Sequence, residues 1–343
     1  MPEKKSILKN TYHHSEFSDV RRLVELKEKQ EMKISLAFPT LNEAKTIGKE
    51  VLIIKTELMN RFPLIDEIAV IDSGSTDDTC RIAREFGATV HSSKDILRHH
   101  GTFRGKGENL WKSLYVLAGD IVVWIDADIK NIHPKFVYGL VGPLLEHPNL
   151  SYVKAYYERP LSVGGTYGPG GGRVTEILVR PLFSMFFPEL AQLVQPLSGE
   201  YASRRGLLEN LSFSVGYGVE LGHLVDIYEM VGPHVIGQVD LDRRIHRNQT
   251  LSDLGRMSFG ILSTFFNRLE KYYHINVERL KNDFYSLIVK ESDEYDVKKI
   301  GTPVVEREPM TDIIEYREKF YRNILPTAPG AAPGGFWRRK VKR

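Results

Sequence analysis

The residues best suited to chemistry lie at the end of the run Asp120-Ile121-Val122-Val123-Trp124-Ile125-Asp126-Ala127-Asp128. An unbroken β-branched and aromatic stretch predicts a buried strand, and in an open α/β sheet ligands collect at the carboxyl ends of such strands. Asp126 and Asp128 supply hard oxygen ligands of the kind that hold Mg²⁺ or Mn²⁺ together with substrate phosphates. The chain is expected to turn there, so that only one of the two need touch a metal. Asp-Ala-Asp alone is equally a solvated turn, because aspartate favours turns. Its neighbours have to decide.

Two earlier strand ends carry comparable chemistry. Pro39-Thr40-Leu41-Asn42-Glu43 closes the first predicted strand, and Asp72-Ser73-Gly74-Ser75-Thr76-Asp77 closes the second. Each could be no more than a capped helix start. In Arg104-Gly105-Lys106-Gly107-Glu108, Lys106 precedes a helix whose free N–H groups favour an anion. The spacing of a Walker loop is absent.

Later motifs point to a second anion. The stretch 164–172 contains six glycines and runs into Arg173-Val174-Thr175, where successive N–H groups and a guanidinium could hold phosphate or carboxylate. Arg243-Arg244-Ile245-His246-Arg247-Asn248 is too basic to be placed without facing anions, and His246 could complete a metal shell begun by Asp128. Gln195-Pro196-Leu197-Ser198-Gly199-Glu200-Tyr201 and Gly216-Tyr217-Gly218-Val219-Glu220 combine carboxylate, aromatic ring and pliant backbone; three roles are open to Glu200 and Glu220, binding sugar hydroxyls, acting as base, or standing as ordinary turn carboxylates.

Positioning these groups requires alternating elements. Strands are predicted at 33–39, 66–72, 88–91, 120–128, 152–157 and 234–241. Helices are predicted at 18–30, 46–61, 79–86, 106–117, 173–187 and, largely, 253–289. This alternation predicts a doubly wound, mostly parallel α/β sheet. The organisation expected is an irregular leader with one helix (1–31), a half carrying the three strand-end motifs (32–150), an acceptor half with the second anion loop (151–252), and a mainly helical extension with a flexible basic tail (253–343). A chain of 343 residues is long enough for a large core. Its +3 charge derives partly from the basic C-terminal end, which lacks interleaved aromatics, so a nucleic-acid partner is not expected. No apolar stretch approaches the ~20 residues of a membrane span, and the lone Cys80 excludes an internal disulfide. A cytoplasmic protein without membrane partners is expected.

Taken in order, Pro-Thr-Leu-Asn-Glu, Asp-Ser-Gly-Ser-Thr-Asp, Gly-Lys-Gly-Glu, Asp-Ala-Asp, Gly-Gly-Arg-Val-Thr-Glu, Pro-Leu-Ser-Gly-Glu, Gly-Tyr-Gly-Val-Glu and His-Arg-Asn span residues 39–248. This set resembles the glucosyl-3-phosphoglycerate synthases and the related bacterial mannosyl enzymes. The resemblance implies the GT-A glycosyltransferase fold, a Rossmann-like sheet flanked by helices. It also implies a hexosyltransferase that carries a hexose from a nucleotide sugar to the 2-hydroxyl of 3-phosphoglycerate, with retention and a divalent metal (Mg²⁺ or Mn²⁺). UDP-glucose is the expected donor and GDP-mannose the alternative; the residues themselves do not separate them.

By the same resemblance, Pro39, Leu41, Glu43, Ser73, Lys106, Asp126 and Ala127 contact the nucleotide sugar, and Asp128 with His246 holds the metal. Gly172, Arg173, Val174, Thr175 and Asn248 take the phosphoglycerate, with Tyr217 and Glu220 on the sugar or acceptor side. A front-side attack is implied, in which Asp128, Arg244, Glu220 and the backbone near Leu197 act at the reacting centre. Pro169 could stiffen the acceptor loop. A homodimer is expected through the C-terminal helices.

Three rivals differ in their residues. A nucleotidyltransferase would need Gly-x-Gly-Thr-Arg where Pro39–Glu43 stands, and a polymerising synthase would need membrane spans and Gln-x-x-Arg-Trp. A sugar-nucleotide binder without activity would have no use for the glycine–arginine anion loop.

Overall fold

The computed structural model describes residues 7–159, 161–163, 166–168, 172–245, 250–275, 284–291, 294–302 and 304–321. Its strands are β1 (Thr11–His13), β2 (Ile34–Thr40), β3 (Glu67–Asp72), β4 (Thr89–Ser92), β5 (Ile121–Trp124), β6 (Tyr152–Glu158) and β7 (Leu161–Val163). They continue with β8 (Thr166–Gly168), β9 (Tyr201–Arg204), β10 (Phe213–Ser214), β11 (Ile236–Arg243), β12 (Phe284–Glu291), β13 (Glu294–Gly301) and β14 (Glu306–Arg307). The α-helices are α1 (Val20–Lys29), α2 (Ile47–Lys55), α3 (Thr79–Glu85), α4 (Lys106–Val116), α5 (Lys135–Glu146) and α6 (Arg180–Phe186). After them come α7 (Arg205–Leu208), α8 (Val219–Met230), α9 (Leu251–Tyr273) and α10 (Ile314–Tyr321).

One eight-stranded sheet in the order β1-β11-β6-β9-β5-β2-β3-β4 organises the chain. All neighbours are parallel except β9, which runs antiparallel to both β5 and β6. Period-two alternation divides its central strand between two cores. Ile121 and Val123 join the face covered by α2 and α5, while Val122 and Trp124 join the face covered by α4, α8 and α9. Trp124 meets Tyr201 and Phe213 edge-on, at 5.1 and 6.2 Å.

The sheet puts the three motif-bearing strand ends side by side, as the alternation predicted. Other expectations change. The central strand stops at Trp124, so the two aspartates stand on the loop beyond it. The leader is more than irregular chain: β1 completes the sheet edge beside β11, and Phe17 packs so closely on α5 that a Cβ at Gly142 would lie 2.3 Å from its ring. Helix α9 ends at Tyr273, and a β12–β13 hairpin occupies 284–301, where helix was expected through Val289. There every second residue is the more exposed one, from Phe284 to Ile288, a strand pattern rather than a helical stripe. The C-terminal segment then returns to brace α4, with Arg307 gripping Glu108 through two hydrogen bonds of 2.7 and 2.8 Å. The basic tail expected after residue 321 lies outside the described residues.

Candidate active site

The loops after β2 and β3 are laced to each other. Asn42, in the left-handed region at φ 59°, accepts a hydrogen bond from the Thr76 N–H (2.8 Å), and its own N–H donates to Ser75 Oγ (2.8 Å). The Glu43 N–H donates to Thr79 Oγ1 at 2.8 Å. Asp72 is buried and accepts from the N–H groups of Gly74 and Ser75, both at 2.9 Å, so it shapes the turn while Ser73 faces the cleft.

Asp128 sits on a loop pinned on both sides. Thr46 Oγ1 donates to the Ala127 carbonyl at 2.5 Å, and the Ile129 N–H donates to Glu50 Oε1 at 2.8 Å. Burial raises the Glu50 carboxyl well above its usual range, with Asp128 and Asp126 adding to the rise. Beyond it the loop docks on the chain after β11: the Lys130 N–H reaches Ile245 O (3.0 Å), and Asn131 bridges the Arg243 carbonyl and the Ile245 N–H (2.7 and 2.8 Å).

This docking delivers Arg244. One guanidinium nitrogen lies 2.8 Å from Asp128 Oδ1 and 3.1 Å from Asp126 Oδ2, and Nε lies 3.0 Å from Glu200 Oε1. Lys106, at the start of α4, lies 2.5 Å from Asp126 Oδ1 and 3.0 Å from Glu220 Oε1, and donates to Gly199 O at 3.3 Å. Burial alone would raise the Asp126 carboxyl; the Lys106 ammonium and the Arg244 guanidinium instead hold it well below the usual carboxylate range. Lys106 shifts the opposite way, for although burial would lower it, Asp126 and Glu220 raise it above the ordinary lysine range. Both groups are therefore fully charged at neutral pH.

Lys106, Asp126 and Asp128 floor a cleft of about 710 Å³. Pro39, Leu41, Glu43, Ser73, Lys106, Asp126, Ala127, Asp128 and Tyr217 all line it, so the donor-side candidates and one sugar-side candidate share a single cavity. Glu220 and Arg244 reach it through their ion pairs. Val174 and Thr175 are buried at the opening of the α6 stretch, Gly172 adopts φ 84°, and Arg173 is exposed; among the described residues these four do not line the cleft. Leu197 is half-buried against the core. His246, Asn248 and most of the glycine loop lie outside the described residues.

Glu200 has a role different from sugar binding. It is fully buried, accepts a hydrogen bond from the Tyr157 hydroxyl, and pairs with Arg244, so it holds the guanidinium from below. Asn109, Arg256 and Gly301 line the cleft from outside every motif named above, and Arg104 and Gly216 line it from within two of them. Arg104 lies within the Lys106 motif, whereas Arg256 on α9 and Gly301 at the end of β13 come from elements that carry no motif.

The site suits a divalent ion on donor chemistry. Asp128 offers a hard carboxylate, more than a quarter exposed, on a loop fixed from both sides. A separate cluster of His13, His14 and Asp242 brings ligand atoms within 4.8 Å of one another, with Lys135 2.5 Å from Asp242, away from the cleft lining.

Comparison with known proteins agrees with this geometry. Residues 35–187 match the glycosyl transferase family 2 profile. The glucosyl-3-phosphoglycerate synthase of Petrotoga mobilis is 57% identical over 318 residues, covering 92% of this chain and 98% of the relative. That of Mycobacterium tuberculosis H37Rv is 47% identical over 239 residues, covering 68% and 73%. Among solved structures, mannosyl-3-phosphoglycerate synthase from Rubrobacter xylanophilus superposes with a TM-score of 0.83 at 35% identity, covering 90% of this chain and 98% of that one. The M. tuberculosis glucosyl enzyme in complex with Mn²⁺, UDP and phosphoglyceric acid gives 0.75 at 40% identity, covering 85% and 94%. With its GT-A sheet, its cleft and this degree of identity, the chain belongs to the glucosyl-3-phosphoglycerate synthase family.

Proposed function

We propose that this chain moves glucose from UDP-glucose to the 2-hydroxyl of 3-phosphoglycerate, retaining the anomeric configuration. The observation that carries the reading is the convergence of Lys106 and Arg244 on Asp126 and Asp128 at the end of β5, in the cleft that the donor-side residues line. In this reading Pro39, Leu41, Glu43 and Ser73 receive the nucleoside, Asp126 and Ala127 the ribose side, and Lys106 and Arg244 the diphosphate. Asp128 with His246 would hold Mg²⁺ or Mn²⁺, which supplies Lewis-acid stabilisation of the departing diphosphate. Cations preset at the position where charge develops need no reorganisation during the step. Gly172, Arg173, Val174, Thr175 and Asn248 take the phosphoglycerate, and Tyr217 closes the side facing the sugar.

Retention follows from attack on the face from which the diphosphate leaves. The carboxylates support this route over a covalent intermediate, since Glu200 is committed to Arg244 and Tyr157 and Glu220 to Lys106. Leu197 presents backbone to the reacting centre. The protein acts in this reading as a cytoplasmic homodimer, with nucleotide sugar and phosphoglycerate as its partners. No helix among the described residues is long and apolar enough to cross a membrane.

The structural likeness to the Rubrobacter mannosyl enzyme makes GDP-mannose the specific competitor. Four nucleotide sugars (UDP-glucose, GDP-glucose, ADP-glucose and GDP-mannose) assayed against 3-phosphoglycerate test the reading. UDP-glucose should give the highest kcat/KM, with nucleotide release dependent on the acceptor. A preference for GDP-mannose would replace the donor, and release independent of 3-phosphoglycerate would replace the function.

A further inference from the structure

Strand β6 holds a second lysine near the site, buried rather than lining the cleft. Lys154 lies in the middle of β6, fully buried, in a strand whose other central positions are apolar or aromatic. Its ammonium donates to the Ser198 carbonyl at 2.6 Å and stands 4.5 Å from the centre of the Tyr201 ring. Among the described residues no carboxylate lies within ion-pairing distance of it. Burial pushes it down to about 7, against the raising influence of Glu220. A buried cation held by one peptide carbonyl and one ring weakens a fold relative to an apolar side chain of the same size, so core packing does not account for it.

Its partner segment does. Ser198 and Gly199 follow Leu197, and each of their carbonyls is taken by a different lysine, Ser198 by Lys154 and Gly199 by Lys106. Gly199 is packed so tightly against the site that a Cβ there would lie 2.0 Å from Asp126 Oδ2. The residues on either side are fixed as well: the Ala155 N–H donates to the Glu200 carbonyl at 3.0 Å, and Gln195 Nε2 donates to the Tyr157 carbonyl at 2.5 Å. The Leu197–Gly199 backbone is thus clamped between β6 and the Lys106–Asp126 pair.

We propose that Lys154 is a positioning residue for glucosyl transfer, holding the Ser198 carbonyl so that the Leu197–Gly199 backbone keeps its orientation toward the donor sugar. This inference rests on the transfer reading given above. It assigns Lys154 no contact with either substrate, so its loss should appear in the chemical step.

The test is Lys154→Met, close in length and apolar, with Lys154→Gln beside it. The measurements are kcat, KM for UDP-glucose and for 3-phosphoglycerate, Mg²⁺-dependent UDP affinity by calorimetry, and Tm. The expected result is a kcat at least tenfold lower, with both KM values and UDP affinity within threefold of the parent and Tm undiminished. The inference is overturned by a kcat within threefold of the parent. It is equally overturned if both variants fail to fold or lose stability together with substrate binding, because Lys154 would then be structural. A parent protein that shows no phosphoglycerate-dependent turnover would instead strike the transfer reading itself.

Discussion

Replacing Gly199 by alanine perturbs the site by a single methyl group. Gly199 does not occupy the left-handed region, so alanine suits its backbone, and the entire effect is steric. The added Cβ would sit 2.0 Å from Asp126 Oδ2 and 2.5 Å from Lys106 Nζ. Restoring ordinary contact at 3.4 Å displaces the carboxylate oxygen by 1.4 Å, the difference between 3.4 and 2.0. Both atoms end flexible side chains, so the fold can absorb the shift, but the Lys106–Asp126 pair and the Asp126–Arg244 contact cannot both keep their present lengths. A misplacement of about 1 Å in a catalytic array can cost about 100-fold in rate, equivalent to about 2.7 kcal/mol of transition-state stabilisation. UDP release with saturating 3-phosphoglycerate, read beside a thermal melt, measures it. The expected outcome is kcat/KM about two orders of magnitude lower with Tm nearly unchanged. Activity within threefold of the parent would refute the claim that the Lys106–Asp126–Arg244 geometry is tightly set.

Other outcomes follow from the same arrangement. Asp128→Ala should abolish metal-dependent turnover while leaving the fold intact, seen as activity that added Mg²⁺ or Mn²⁺ does not restore. Arg173→Ala should raise KM for 3-phosphoglycerate by far more than KM for UDP-glucose; equal changes would remove the acceptor assignment. Lysine at position 154 also carries a pH signature. With its pKa lowered from 10.5 to about 7 on folding, the native chain binds fewer protons than the unfolded chain between those values, so this group makes stability rise with pH across that window. Lys154→Met should therefore exceed the parent in Tm most at pH 6.5, with the gap closing by pH 10; a gap independent of pH would contradict the shift.

The parts of the fold legible in the sequence were those written locally. Buried parallel strands such as β2, β3 and β5 are continuous apolar runs, and the turns that end them carry their own hydrogen-bonding residues. Placing Pro39, Ser73, Asp126 and Asp128 in one cleft needed little more than strand order. The antiparallel β9 was not legible, because Tyr201-Ala202-Ser203-Arg204 is short and its pairing with β5 spans some eighty residues of chain. Nor was β1, three residues held by an edge and by packing of the following segment on α5. The β12–β13 hairpin is masked by the amphipathic period of α9, which runs up to Tyr273 shortly before it, although Phe284-Tyr285-Ser286-Leu287-Ile288-Val289 has strand composition.

Within the site, the two aspartate partners of Arg244 lie 116 and 118 positions away, a distance no local pattern encodes. Glu200 shows the same limit: beside a glycine and a tyrosine it reads as a cleft carboxylate, whereas tertiary packing turns it inward to Arg244. A lysine inside the apolar alternation of β6 was the one available sign of Lys154.

The most direct measurement is a proton NMR time course of the purified protein with UDP-glucose, Mg²⁺ and 3-phosphoglycerate. The account predicts that UDP and an α-glucosyl phosphoglycerate substituted at the 2-hydroxyl accumulate in equal amounts, and that neither forms once the metal is chelated. Free glucose as the product, or a β-linked glucoside, would contradict it.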